Sequence, residues 1–235
     1  MQVHCIQHLP IDDSITLGEW AASRGHRLVK THHPTVGMLP EPDSVDMLVI
    51  TGGFMSGYDE KNHPWLVREK AFIREIAMRG LPILGLCLGA QLLADTLGGR
   101  ARPHDIGELG WFEVRSLPEI EAERRFGLPD RFMTVQWHND NFDLPPEAVR
   151  LAETPACANQ AFSWRDNVLA CQFHLEYSSE NMHELLAACD GKLGSGPYIQ
   201  SPEEIRPTGP DDQRVIAIRE LFFHLLDRLA TVRPQ

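Results

Sequence analysis

Residues 81–99 read LPILGLCLGAQLLADTLGG. The apolar run Leu81 to Gly85 predicts a strand, and Leu88 to Leu97 predicts a helix that stops at Gly98-Gly99. Between them lies Gly85-Leu86-Cys87-Leu88-Gly89, the cysteine form of the G-x-S-x-G turn that presents a nucleophile between strand and helix. The chain is crowded there, so glycine is expected two residues before and two after the nucleophile. The helix N-terminus favours a thiolate, and a neighbouring histidine can take or share its proton. The N–H of Leu88 would point to where negative charge develops. A free cysteine is more often a small buried apolar residue, but the strand–turn–helix context reverses that preference.

The same rhythm extends outward from this stretch. Val3–Ile6, Arg27–Lys30 and Val45–Ile50 are expected strands. Ser14–Arg24 and Trp65–Met78 are expected helices. Alternation of this kind implies parallel βαβ units with right-handed crossovers, and a site beyond the carboxyl ends of the strands. After residue 100 the reading changes to strands at Gly110–Ser116, Phe132–Trp137, Ala161–Trp164 and Val168–Phe173. These suggest an antiparallel or mixed extension, with closing helices at 179–189 and 211–230. The Gly- and Pro-rich stretch 191–212 is expected to be a surface loop.

Two further segments fall where the site should be. Strand 45–50 runs into Thr51-Gly52-Gly53, and two glycines there let backbone approach a ligand closely. The N–H of Gly53 is a candidate second donor to an oxyanion; alone, a Gly-Gly pair is more often a tight turn. Strand 168–173 delivers His174-Leu175-Glu176. Their spacing of two puts imidazole and carboxylate on one side, so that Glu176 can orient His174 and stabilise its protonated form. Gln91 lies one helical turn after Cys87, on the same face. Trp137-His138-Asn139-Asp140 follows another strand. His138, Asn139 and Asp140 are candidate substrate contacts, and His138 is a rival to His174 as the base. His174 is preferred because it has a carboxylate two residues away.

Composition bounds the alternatives. The 235 residues are 43% apolar and 23% charged, with a formal net charge of −11. That suits a soluble globular enzyme and, with no basic block, disfavours nucleic acid or an anionic membrane as partner. No apolar stretch reaches the ~18 residues of a membrane span, and MQVHCIQHLPIDD does not read as a secretory signal. Five cysteines without a CxxC pair disfavour a disulfide framework or a zinc site, so a cytoplasmic location with no metal or cofactor is expected.

Together the Gly52-Gly53 turn, the Gly85-Leu86-Cys87-Leu88-Gly89-Ala90-Gln91 elbow and His174-Leu175-Glu176 resemble the class I glutamine amidotransferases, over roughly residues 1–190. Gly110-Trp111-Phe112, Gln136 to Asp140 and Ala158 to Phe162 resemble its stand-alone, amidotransferase-like branch. The resemblance implies one domain over 1–235 with a flavodoxin-like open, mostly parallel sheet, helices on both faces, and a C-terminal loop and helix at 191–235. It implies hydrolysis of a γ-glutamyl amide through a Cys87 thioester, releasing ammonia, with a small-molecule substrate and a possible synthase partner. A γ-glutamyl peptide hydrolase and a non-catalytic binding subunit of the same fold are the alternatives. A protease and chaperone superfamily with a cysteine elbow fits less well, since Leu88 stands where its members tend to have histidine. Two departures stand out: Phe54 follows the Gly-Gly pair where many members have proline, and Leu175 separates His174 from Glu176 where most have proline.

Overall fold

A computed structural model describes residues 1–32, 38–117, 126–189 and 193–233. The strands are β1 (Gln2–Gln7), β2 (Arg27–His32), β3 (Met47–Ile50), β4 (Ile83–Leu86), β5 (Arg100–Ser116), β6 (Arg131–Asp143), β7 (Ala148–Glu153), β8 (Ala161–Trp164) and β9 (Val168–Cys171). They form one sheet in the order β2-β1-β3-β4-β9-β8-β7-β5-β6. From β2 to β9 every pairing is parallel; from β9 onward every pairing is antiparallel. The first five strands therefore have the flavodoxin-like order, with β9 in the fifth place, and the expected extension is the antiparallel half.

The helices are α1 (Ile15–Ser23), α2 (Trp65–Met78), α3 (Leu88–Thr96), α4 (Ser179–Ala188), α5 (Pro202–Ile205) and α6 (Gln213–Leu229); the short α5 packs on β5, and the others cover both faces of the parallel half. The central strands β3, β4 and β9 are apolar along their whole length because both faces are buried, as parallel sheets require. Alternate residues serve alternate cores. Met47, Val49, Leu84, Leu86, Leu169 and Cys171 join the core shared with α1, α4 and α6. Leu48, Ile50, Ile83, Val168 and Ala170 join the core under α2 and α3.

Three readings need correction. Residues 137–140 do not follow a strand but lie inside β6, whose hairpin with β5 runs far beyond the expected segments. Strand β7 was not foreseen. The segment 193–212, which excludes the first residues of the expected loop because 190–192 lie outside the described chain, is more than a surface connection. Leu109 N–H donates to Tyr198 O, Gln200 N–H donates to Leu109 O, and the Gln200 amide clasps both the N–H and the C=O of Trp111. Ile205 is fully buried. Proline and glycine richness signals irregular backbone, not exposure, and here it hides a docked strap.

Candidate active site

The ends of the parallel strands converge on one cavity of about 260 Å³. Cys87 caps the N-terminus of α3 at φ 51° and ψ −105°, a conformation that L-residues rarely adopt. The turn explains its glycines. A Cβ on Gly85 would lie 2.6 Å from the carbonyl oxygen of Gly89, and one on Gly89 would overlap the carbonyl oxygen of Ile50 in β3. Cys87 N–H donates to Cys171 O at 2.8 Å, which ties the elbow to β9. The sulfur points at the carbonyl oxygen of Trp137, 3.7 Å away.

Just beyond β9, His174 Nδ1 meets Glu176 Oε1 at 2.6 Å, with both side chains buried. The N–H of Leu175 donates to the other carboxylate oxygen at 2.9 Å. A proline in that place could not make this bond, so the departure at Leu175 adds a restraint on Glu176. His174 N–H also donates to Val135 O of β6, and its ring stacks on Tyr177 at 4.3 Å and 14°. Burial opposes the charged imidazole, but Glu176 and the Cys87 sulfur prevail and raise its pKa to about 10. Nε2 is buried with no other hydrogen-bond partner, which leaves it for the sulfur.

Gly52 and Gly53 make this packing possible. A Cβ on Gly52 would lie 2.9 Å from His174 Cε1, and one on Gly53 would lie 2.6 Å from Leu88 and 2.9 Å from His8. Gly53 and Leu88 are therefore neighbours. Leu88 is the first residue of α3, so its N–H has no acceptor within the helix.

Cys87, His174, Gly53, Leu88, Gln91, His138, Asn139 and Asp140 all line the cavity, and Glu176 stands behind His174. Gln91 is buried and donates to Gln172 Oε1 at 3.3 Å. Asn139 is exposed, and Asp140 accepts from Tyr58 at the cleft mouth at 3.2 Å. His138, the rival base, has both ring nitrogens turned to other groups. Its Nδ1 is engaged with Asp140 O at 3.0 Å, and its Nε2 lies 3.2 Å from Glu108 Oε2. Phe54, the other departure, stands largely exposed at the mouth. Among the described residues no group of His, Cys, Asp or Glu is placed to hold a metal ion, and no helix is long and apolar enough to cross a membrane.

Sequence reasoning did not find Tyr177, Gln172, the carbonyl of Trp137 or Glu108. Tyr177 stands next to Glu176 and could have been suspected. Glu108 is visible only through the pairing of β5 with β6.

The model of the class I glutamine amidotransferase family matches residues 24–189. This chain belongs to that family. A glutamine amidotransferase-like protein of Salmonella typhimurium, YfeJ, is 26% identical over the whole of both chains. The crystal structure of a glutamine amidotransferase from Methylobacillus flagellatus superposes with a TM-score of 0.92 at 26% identity, covering 100% of this chain and 96% of that one. The glutamine-hydrolysing GMP synthase of Thermomicrobium roseum is 36% identical over 129 residues, 55% of this chain but only 23% of that protein. Membership in the family thus agrees with the resemblance read from the three motifs.

Proposed function

We propose that this amidotransferase-family chain hydrolyses a γ-glutamyl amide, glutamine in the first instance, through a thioester on Cys87. The observation that carries this reading is the line Cys87, His174, Glu176 at the ends of β4 and β9. His174 as imidazolium beside the sulfur favours a thiolate, which attacks the amide carbon. The oxygen that becomes negative lies toward the N–H groups of Gly53 and Leu88. As the tetrahedral adduct collapses, the C–N bond breaks and His174 gives its Nε2 proton to the departing ammonia. A water molecule then loses a proton to His174 and attacks the thioester, which releases glutamate and restores the thiol. The glutamine-hydrolysing name of the GMP synthase relative supports the substrate choice, and a synthase that takes up the ammonia is the partner such chemistry would serve.

Brief treatment with an electrophilic glutamine analogue, followed by peptide mass spectrometry, tests the reading. Burial raises the pKa of each of the other cysteines. Cys157, also faced by Glu108, is pushed up to about 12, and Cys5, Cys171 and Cys189 are raised as well. Label is therefore expected on Cys87 alone, and to fall by ~10²–10⁴-fold in rate in His174→Ala. Equal label on Cys157 or Cys189 would contradict the assignment.

A further inference from the structure

The cleft holds a second buried histidine–carboxylate pair, on the wall facing the first. Glu108 is completely buried, directly opposite His138 in the β5–β6 ladder and just past the irregularity between Pro103 and Glu108. A buried carboxylate is tolerated only when its oxygens are satisfied, and three groups gather on this one. Oε1 accepts from Thr154 Oγ1 at 2.8 Å, and Oε2 accepts from Gln160 Nε2 at 2.6 Å. His138 Nε2 lies 3.2 Å from Oε2, out of line for a straight hydrogen bond. Gln160 in turn accepts from Gln136 Nε2 at 3.1 Å. Thus β5, β6 and the connection from β7 to β8 are tied together at one carboxylate.

The far side of His138 shows what this arrangement fixes. A carbonyl oxygen can only accept, so the 3.0 Å contact with Asp140 O requires the hydrogen on Nδ1. With Nδ1–H committed to that carbonyl, Nε2 faces the carboxylate, and this contact attracts only when the ring carries a second hydrogen there as imidazolium, which is then held between a carbonyl and a carboxylate. The ring cannot turn without losing one of them. His138 therefore braces the backbone from 137 to 140, which supplies the carbonyl faced by Cys87 and the cleft wall at Asn139 and Asp140.

We infer that Glu108 is a positioning residue for substrate: through His138 it holds the 137–140 segment in the shape that receives the glutamyl group. The inference rests on the hydrolase reading above. It gives Glu108 a role in binding and none in the bond-making steps, because it touches neither the sulfur nor His174.

A double-mutant cycle with Glu108→Gln, His138→Asn and the double variant tests it, with kcat and KM measured separately on glutamine and on a γ-glutamyl dipeptide. Glu108→Gln is expected to raise KM about tenfold while kcat stays within threefold, and to have no further effect in the His138→Asn background. Loss of stability with KM unmoved, or fully additive effects, would overturn it. Should Glu108→Gln not fold, Thr154→Val loosens the same carboxylate from its other side. It is expected to raise KM two- to threefold, and an unchanged KM overturns the inference. Absence of turnover by the wild type on both substrates, together with no labelling of Cys87 by the glutamine analogue, defeats the hydrolase reading and this inference with it. Wild-type turnover with KM unmoved in the variants defeats this inference alone.

Discussion

Asp13 lies beneath the His174–Glu176 pair, almost fully buried, with Oδ1 accepting from Gln7 and Oδ2 left without a hydrogen bond. Burial and the charge of Glu176 raise its pKa from 3.8 to about 6, against the opposing pull of Gln7, Thr51 and His8. The native state therefore binds the proton more tightly than the unfolded chain. Stability falls as pH rises from about 3.8 to about 6 and stays lower above that window. Asp13→Asn removes the titration, and any hydrogen-bond penalty of the amide is independent of pH. Urea unfolding should show the variant gaining roughly 2 kcal/mol on the wild type between pH 4 and pH 7. Equal differences at the two pH values would mean that Asp13 is not held as described. Such a penalty next to the proposed chemistry fits the general trade of stability for an organised site. No sequence pattern reveals it: helix α4, whose Asn181 donates to Asp12 O, and the segment after β9 that carries Glu176 make Asp13 an interior group.

At the scale of elements, what the sequence made legible follows from how many faces are buried. The parallel strands and α2 were readable because both strand faces are apolar and the helix has a strong period; Trp65–Met78 is the observed helix. The β5–β6 hairpin was seen only in the half where β5 ends and β6 begins. Its outer residues, such as Arg100, Arg102, His104 and Asp105, look like loop because one face meets solvent. Strand β7, with Arg150 and Glu153 and only Leu151 and Ala152 buried, gave too weak a pattern to register. The elbow is the opposite case, since its glycines are dictated by sterics. Gly89→Val would drive a side chain into the Ile50 carbonyl, and overpacking against backbone has no rotamer to relieve it. Loss of more than ~4 kcal/mol, or failure to fold, is expected. Gly194 is a poor control because its φ of +79° disfavours any side chain, although open space surrounds it. Gly196→Ala, with Ile199 3.4 Å from the added carbon, should change stability by less than ~0.5 kcal/mol. Thermal melts followed by circular dichroism compare the two, and similar melts would argue against the crowded turn.

The whole molecule places its cavity at the seam between two kinds of sheet. The parallel half supplies Gly53, Cys87 and His174 from strand ends; the antiparallel half lays β6 across them, with Val135 bonded to His174 and Trp137 facing Cys87. The first half was legible as motifs in order along the chain. The second was not, because which residues of a long hairpin face a cleft depends on register and bulge, and neither is written in local composition. The seam also bears on the substrate. On the proposed reading the γ-glutamyl group would lie against Gln91, Gly53 and residues 137 and 138, and the leaving group would depart past Phe54, Asn139 and Asp140 at the mouth, where Tyr58 meets Asp140. Ammonia needs no contacts there; an amino acid leaving group would need several. Of the groups at that mouth, Asp140 is engaged with Tyr58, and among the described residues no Lys or Arg lines the cavity to receive a carboxylate. Glutamine is therefore expected to be turned over with the higher kcat/KM. A chain that works unaided should run at an ordinary ~1–10³ per second, and one that feeds a synthase should be slow until its partner is added. Steady-state kinetics on glutamine and on γ-glutamyl dipeptides decide between these. A dipeptide efficiency a hundredfold above that of glutamine would reverse the choice of leaving group, and would leave the proposed roles of Cys87, His174 and Glu176 as they are.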